Sequence, residues 1–183
     1  MGHRLSKIYT RTGDGGETGL GDGRRLSKDH PRLHVLGDLD ELSSVLGLVR
    51  CELPAAHASA AALRQVQQEL LDLGGEMACP GLQLLDSAAI TRLEQEMDAL
   101  NAELGPLQEF ILPGGTRAAA SAHLARATAR RLERQLVALA QEEALPDLAL
   151  AYINRLSDWL FVMARQLGRE EGDTEILWRH ERR

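Results

Sequence analysis

Aromatic side chains are scarce: Trp, Tyr and Phe occur twice each and make up 3% of the chain. Alanine and leucine dominate instead. This favours helices over sheets, because alanine and straight-chain residues lose little freedom in a helix. Cysteine is almost absent too. Cys51 and Cys79 stand alone, with neither CxxC spacing nor nearby histidines, and read as reduced core or near-surface thiols. The N-terminal "MGHRLSKIYTR" carries positive charge but no apolar segment behind it, so it does not read as a secretory signal. No run approaches the ~18 apolar residues of a membrane span. A soluble, cytoplasmic protein is expected. The formal net charge of −6 argues against nucleic acid as the main partner, which demands a basic face. It leaves room for a local basic pocket.

What is present is helical periodicity. A length of 183 residues suits one domain with a real core. Val35, Leu39, Leu42, Leu46 and Val49 form one stripe, closed by Pro54. Leu63, Val66, Leu70, Leu73 and Met77 form a second, ending near Cys79-Pro80-Gly81. A third runs through Ile90, Leu93, Met97 and Leu100, with Ser87 as the expected N-cap. A fourth is predicted from about Arg117 to Glu143, and a fifth after Pro146, through Ile153, Leu156, Leu160 and Leu167. The expected fold is all-α, a five-helix antiparallel bundle over 31–168. A glycine-rich arm, 1–30, precedes it, and a short charged tail, 169–183, follows. No segment alternates strongly enough to predict a sheet, and composition alone makes arm and tail mobile.

Four segments carry possible chemistry. The arm reads "YTRTGDGGETGLGDGRRLSKD", with six glycines between Gly13 and Gly23. Glycines let backbone N–H groups turn toward an anion, and Thr10, Thr12, Thr18, Arg11 and Lys28 add donors suited to a polyphosphate. No Gly-Lys-Ser/Thr follows, so this is not a P-loop. A merely flexible arm is the plain alternative, and Asp14 and Asp22 are unwelcome in a bare phosphate cradle. In "HLARATARRLERQ", His123, Arg126, Arg130 and Arg134 fall within about 80° on one helix face. Stacked arginines want an anionic partner, either carboxylates or a phosphate chain. A solvated basic face is the bland reading. Glu133, beside the stripe, could orient an arginine or accept from a ribose hydroxyl.

"GDLDELSS" puts Asp38 and Glu41 on one face, and Asp40 on another with Ser43, Ser44 and Gly47. No Glu-x-x-His pair accompanies them, so a di-iron bundle is excluded. An ion pair from Asp40 to a fourth-helix arginine is the better expectation. "YINRLSDWLF" sets Asn154, Arg155 and Asp158 on an apolar helix, where a structural polar network is the plain reading. Phe110, before "ILPGGT", reads by default as core.

Taken together, "YTRTGDGGETGL", "GDLDELSS", "FILPGGT", "ARRLER" and "YINRLSDWLF" resemble the ATP:cob(I)alamin adenosyltransferases of the propanediol-utilisation type, which include the mitochondrial enzyme. Order and spacing match from Lys7 to about Arg169. The resemblance implies a homotrimer with active sites between subunits. It implies transfer of the 5′-deoxyadenosyl group of ATP to Co(I) of reduced cobalamin, with release of triphosphate. Thr10, Arg11, Thr12, Gly13, Thr18, Gly19 and Lys28 match the family's N-terminal ATP contacts. Arg130, Arg131, Leu132, Glu133 and Arg134 match its helical ATP run, and Asn154 a later contact. Arg126 and Asp40 match a pair used across the subunit interface. Phe110 is similar to the aromatic that closes the lower face of the corrin, displacing the axial ligand so that Co(II) is easier to reduce. Gly15 and Gly19 depart from relatives that carry side chains there.

On this resemblance the substrates are ATP, with Mg²⁺, and cobalamin; the sequence does not identify the magnesium ligands. A corrinoid reductase and a B12-dependent mutase or dehydratase are the expected partners. Since Co(I) is already a strong nucleophile, the absence of a triad or thiolate motif is consistent with that chemistry. Two rival classes stay open on sequence alone. One is a trimeric carrier that binds ATP or product without turnover; the other is a structural bundle with a disordered arm.

Overall fold

The computed structural model describes residues 9–179. The first eight residues of the arm, including Lys7 where the family resemblance begins, and the last four of the tail lie outside the described residues. The helices are α1 (Pro31–Cys51), α2 (Ala58–Ala78), α3 (Ala88–Glu103), α4 (Arg117–Leu139) and α5 (Ala149–Glu170). Each of the five leucine stripes became a helix. Local chemistry starts several of them. Pro31 opens α1 with its fixed φ, and His30 caps it, Nδ1 accepting from the Arg32 N–H at 3.1 Å. His57 does the same for α2 through Ser59, and Thr116 caps α4 through the Ala119 N–H. Ser87 precedes α3 but makes no side-chain cap; the Asp86 carboxylate accepts from Ala88 instead, at 2.9 Å.

α1 packs between α2 and α4, α4 packs on α5, and α3 covers the other side of α5. Arg117 faces Glu52 and Arg131 faces Asp38 and Glu41, so α1 and α4 run in opposite senses. Glu94 meets Arg155, Glu96 meets Trp159 and the Glu103 carbonyl meets Arg169, so α3 and α5 run the same way. Alanines make the close packing of α4 possible: Ala118, Ala119, Ala122, Ala125 and Ala129 are all buried. The surrounding core is leucine from every helix, with Tyr152 and Trp159 of α5 fully enclosed. Such burial is worth about 25 cal/mol per Å² of apolar surface, the main force holding the bundle.

A buried carboxylate sits inside this core. Glu69 of α2 accepts from the Tyr152 hydroxyl at 2.7 Å, from Arg92 at 2.7 Å and from Gln65 at 3.1 Å. Burial, then the nearby Glu69 charge, pushes the Tyr152 hydroxyl well above its usual range. Arg32 plays the matching part at one end of the bundle. Almost fully buried, it donates to Glu143 and to the Met77 carbonyl, fastening the start of α1 to the ends of α2 and α4.

Three expectations need correction. The fourth helix ends at Leu139, not near Glu143, because the chain turns at Ala140 and carries Glu143 back to Arg32. The arm is not unstructured: β1 (Glu17–Gly19) and β2 (Arg25–Ser27) form an antiparallel hairpin, closed by a turn with Gly23 at φ 89°. Three-residue strands are too short to show alternation, which hid them from the sequence. The tail is not loose either. Leu112 N–H donates to the Ile176 carbonyl at 2.8 Å, Trp178 N–H to the Phe110 carbonyl at 2.7 Å, and Arg165 binds Glu175 at 2.6 Å. Among the described residues, no helix is long and apolar enough to cross a membrane.

Candidate active site

Within the arm the hairpin gathers the residues singled out above. Lys28 N–H donates to the Gly16 carbonyl at 2.8 Å, folding the strand ends together. Lys28 Nζ comes so close to Gly13 that a Cβ there would lie 3.1 Å from it. Thr10 and Thr12 share a hydroxyl hydrogen bond at 2.8 Å, and the Arg25 guanidinium holds the Thr12 carbonyl at 2.9 Å. Arg11 has φ 60°, the left-handed region that L residues avoid, with its guanidinium over the Tyr9 ring. The carboxylate objection is eased at one of its two positions. Asp22 is neutralised by Arg24 at 2.6 Å, and hydrogen bonds from Arg24 hold its carboxyl below the ordinary range. Thr18 lies between Glu17 and Gly19 in β1, paired with Leu26.

On α4 the arginines divide into two kinds. Arg131 is committed inside the chain, to Asp38 at 3.2 Å and to Glu41. Those carboxylates raise its pKa. Arg126, Arg130 and Arg134 form no ion pair among the described residues. Arg130 and Arg134 are exposed, and Arg134 donates to the Arg130 carbonyl at 3.0 Å. Arg126 is half-buried over the Phe161 ring, and its Nε has no acceptor. Burial, then the Arg130 charge, pulls its pKa down. His123, buried beside the same ring, is lowered by burial and then by Arg126. Within the described chain the expected pair from Asp40 to an α4 arginine is not made: Asp40 is exposed, and Asp38 and Glu41 bind the helix. The reason is angular, since Asp38 and Glu41 share the α1 face that looks at α4.

Two other residues of the matched motifs take places inside the chain. Asn154 donates to Glu133 at 2.8 Å, so both sit together beside Arg134. Leu132, inside the matched run, is completely buried; its side chain belongs to the core. The polar group on α5 is the structural network anticipated there, with Arg155 holding Glu94 at 2.8 Å and Asp158 at 3.6 Å.

Phe110 is not core. It is 76% exposed in the loop between α3 and α4, its ring edge-on to Trp178 at 6.3 Å. The following Ile111 and Leu112 line a pocket of about 590 Å³, closed by tail residues Ile176 and Leu177 and by His123 and Ala164. Residue order could not reveal this pocket, because the tail that roofs it reads as polar chain. Phe161 and Trp178 were likewise missed; each is simply one of two of its kind.

The arm and this pocket stand at opposite ends of the bundle. The arm meets the end of α2, where the Gly21 N–H binds the Ala78 carbonyl, and leads into α1 beside Glu143. The pocket lies at the start of α4 and the end of α5. The 23 residues of α4 separate them by roughly 35 Å at 1.5 Å per residue.

Comparison with known proteins agrees with the five-helix fold. A family model described as cobalamin adenosyltransferase matches residues 8–167. A "Cobalamin adenosyltransferase" of Cupriavidus metallidurans is 50% identical over 182 residues, covering 100% of this chain and 99% of that one. A "Corrinoid adenosyltransferase" of Bacillus subtilis is 41% identical, over 93% of this chain and 91% of its own. Among solved structures, a point variant of the PduO-type ATP:corrinoid adenosyltransferase from Lactobacillus reuteri, complexed with cobalamin and ATP, superposes with a TM-score of 0.91. It is 34% identical, over 95% of this chain and 100% of that one.

Proposed function

The chain belongs to the cobalamin adenosyltransferase family, and from that premise we propose which of its residues carry the reaction and how copies assemble to do so. The reaction is transfer of the 5′-deoxyadenosyl group of ATP to a reduced corrinoid. A Co–C5′ bond forms from the Co(I) electron pair, the C5′–O5′ bond breaks, and triphosphate leaves with the bonding pair. The nucleophile is supplied by the substrate, so the protein's work is alignment and stabilisation of the leaving charge.

The observation that carries the assignment is the row Arg126, Arg130 and Arg134, left without carboxylates on α4. Guanidinium forks free of carboxylate partners suit a triphosphate, whose charge rises as C5′–O5′ breaks. The arm supplies the other wall through Thr10, Arg11, Thr12, Gly13, Thr18, Gly19 and Lys28. Glu133, fixed by Asn154, faces the nucleoside end. Phe110, exposed beside the pocket, takes the lower face of the corrin. No group of three or more His, Cys, Asp or Glu that could hold a metal occurs among the described residues. Mg²⁺ is taken to enter with the nucleotide, as a counter-ion to its phosphates.

The separation of arm and pocket supports assembly. One chain cannot bring its own arm to its own Phe110, but a neighbour can. Gly37, Asp40, Ser44 and Leu48 of α1 lie exposed in one stripe, and Leu124, Ala127, Arg130, Arg134 and Val137 of α4 in another. Small residues, three apolar side chains, a carboxylate and arginines without intrachain ion pairs supply the two unlike patches that a heterologous, ring-closing contact needs. We take the oligomer to be a homotrimer, with Asp40 of one copy paired to Arg126 of the next. A corrinoid reductase would supply the electron, and a B12-dependent mutase or dehydratase would receive the product. The free thiols Cys51 and Cys79 suit a reducing, cytoplasmic setting.

The test is an anaerobic assay with ATP and chemically reduced cobalamin, following the visible spectrum of the Co–C product and the release of triphosphate. Both should appear in equal amounts. Binding of ATP without either product would mark a carrier instead.

A further inference from the structure

The hairpin meets the bundle at a point outside the residues so far assigned to ATP. The last turn of a helix leaves carbonyls without intrahelical donors. At the end of α2 one of these, the Ala78 carbonyl, receives the Gly21 N–H at 3.0 Å. Leu20, just before it, is buried. The hairpin thus caps α2, and the cap requires close approach. An ideal Cβ placed on Gly21 would overlap the Cys79 Sγ and lie 3.5 Å from the Ala78 carbonyl oxygen. Gly21 does not occupy the left-handed region, so its backbone would accept alanine. The obstacle is the thiol alone. Gly15 differs: it has open space around it, with no heavy atom within 4 Å of the added carbon.

We propose that Gly21 is a positioning residue for the ATP arm, seating the hairpin on the end of α2 through the space left beside Cys79. This rests on the reading that the arm binds ATP. When the seat is lost, the strands and the Thr10–Lys28 cluster remain, but they no longer hold a fixed place against the helices. ATP must then order the arm as it binds, and its apparent affinity falls by the fraction of molecules still docked.

The experiment compares Gly21→Ala, Cys79→Ala and the double variant in the full chain. Two readouts are taken: trypsin cleavage after Arg24 or Arg25 without ATP, and KM and kcat for ATP. Gly15→Ala serves as control for the protease readout only. Gly21→Ala should cleave faster and raise the KM for ATP about tenfold, as expected if roughly a tenth of molecules keep the arm docked, with kcat at saturating ATP near the parent value. Removing the thiol should restore both readouts in the double variant, while Gly15→Ala should cleave like the parent. Three results would overturn the proposal. Unchanged cleavage and KM in Gly21→Ala would mean that the thiol swings aside and the seat does not matter. Failure of Cys79→Ala to restore either readout would mean that the thiol is not the obstacle. Faster cleavage with unchanged KM would show the seat to be real and the arm's role in ATP binding to be wrong.

Discussion

The guanidinium carbon of Arg126 lies 5.9 Å from the centroid of the Phe161 ring, and its Nε faces no acceptor. A half-buried cation on an aromatic face gains some attraction from the ring, yet an unpaired buried N–H remains costly. In the proposed assembly Asp40, exposed on α1, is the counter-charge that a neighbouring copy offers. Asp40→Asn should weaken the oligomer, ATP binding or both. A double-mutant cycle with Arg126→Ala should give a coupling of about 0.5–3 kcal/mol. Additive effects in sedimentation and ATP titration would remove the pair from the site.

Arg130 and its neighbour Arg131 should behave differently although they adjoin in sequence. In the proposed site Arg130→Ala removes a donor to the leaving triphosphate, and should cost on the order of 10²–10³ in kcat. Arg131→Ala removes a half-exposed strut to Asp38 and Glu41. It should cost about 0–1 kcal/mol of stability and far less rate. Steady-state rates and melting curves of the two variants decide this, and equal rate losses would contradict it.

Phe110→Ala isolates the corrin step. The ring is mostly exposed, so truncation opens no core cavity and stability should move by no more than about 0.5 kcal/mol. Turnover from Co(II) with a weak reductant should fall much further than turnover from pre-reduced Co(I). Similar losses on both routes would assign the axial-ligand step elsewhere.

His123 gives a pH signature. Its folded pKa lies below the ordinary 6.5 because burial, then the Arg126 charge, opposes the imidazolium. The unfolded chain therefore takes up this proton first as pH falls. The stability that neutral His123 contributes is complete above about pH 6.5, shrinks as pH drops through the window below, and is gone beneath the folded pKa. Denaturant melts at pH 7.5 and 5.5 should show a larger loss for the parent than for His123→Gln. Equal losses would mean that the imidazole is not held neutral.

Periodicity and punctuation were enough to read the bundle. Five leucine stripes, bounded by Pro54, Pro80, Gly105 and Pro146, became five helices, because a stripe at 3.6-residue spacing has one economical way to leave water. The arginine row on α4 was legible for the same reason, since helix geometry alone puts Arg126, Arg130 and Arg134 on one side. What the residues could not decide was which charges would meet. Asp38, Asp40 and Glu41 are chemically alike, and only the angle at which α1 packs on α4 gave Arg131 to two of them and left Asp40 outside.

The same limit governed arm and tail. Both read as loose because their strands are three residues long or single bridges, held by bonds to segments distant in the chain: Gly21 to Ala78, Trp178 to Phe110. Such contacts depend on where helices end in space, and local propensity carries no record of that. Composition and periodicity determined an all-α chain with a row of arginines on one helix and a glycine-rich arm. Tertiary structure alone decided that Phe110 is exposed beside a pocket, and that arm and pocket stand a helix length apart. A helix fixes directions over its own length, while distances between its ends and other segments are set only when the core closes.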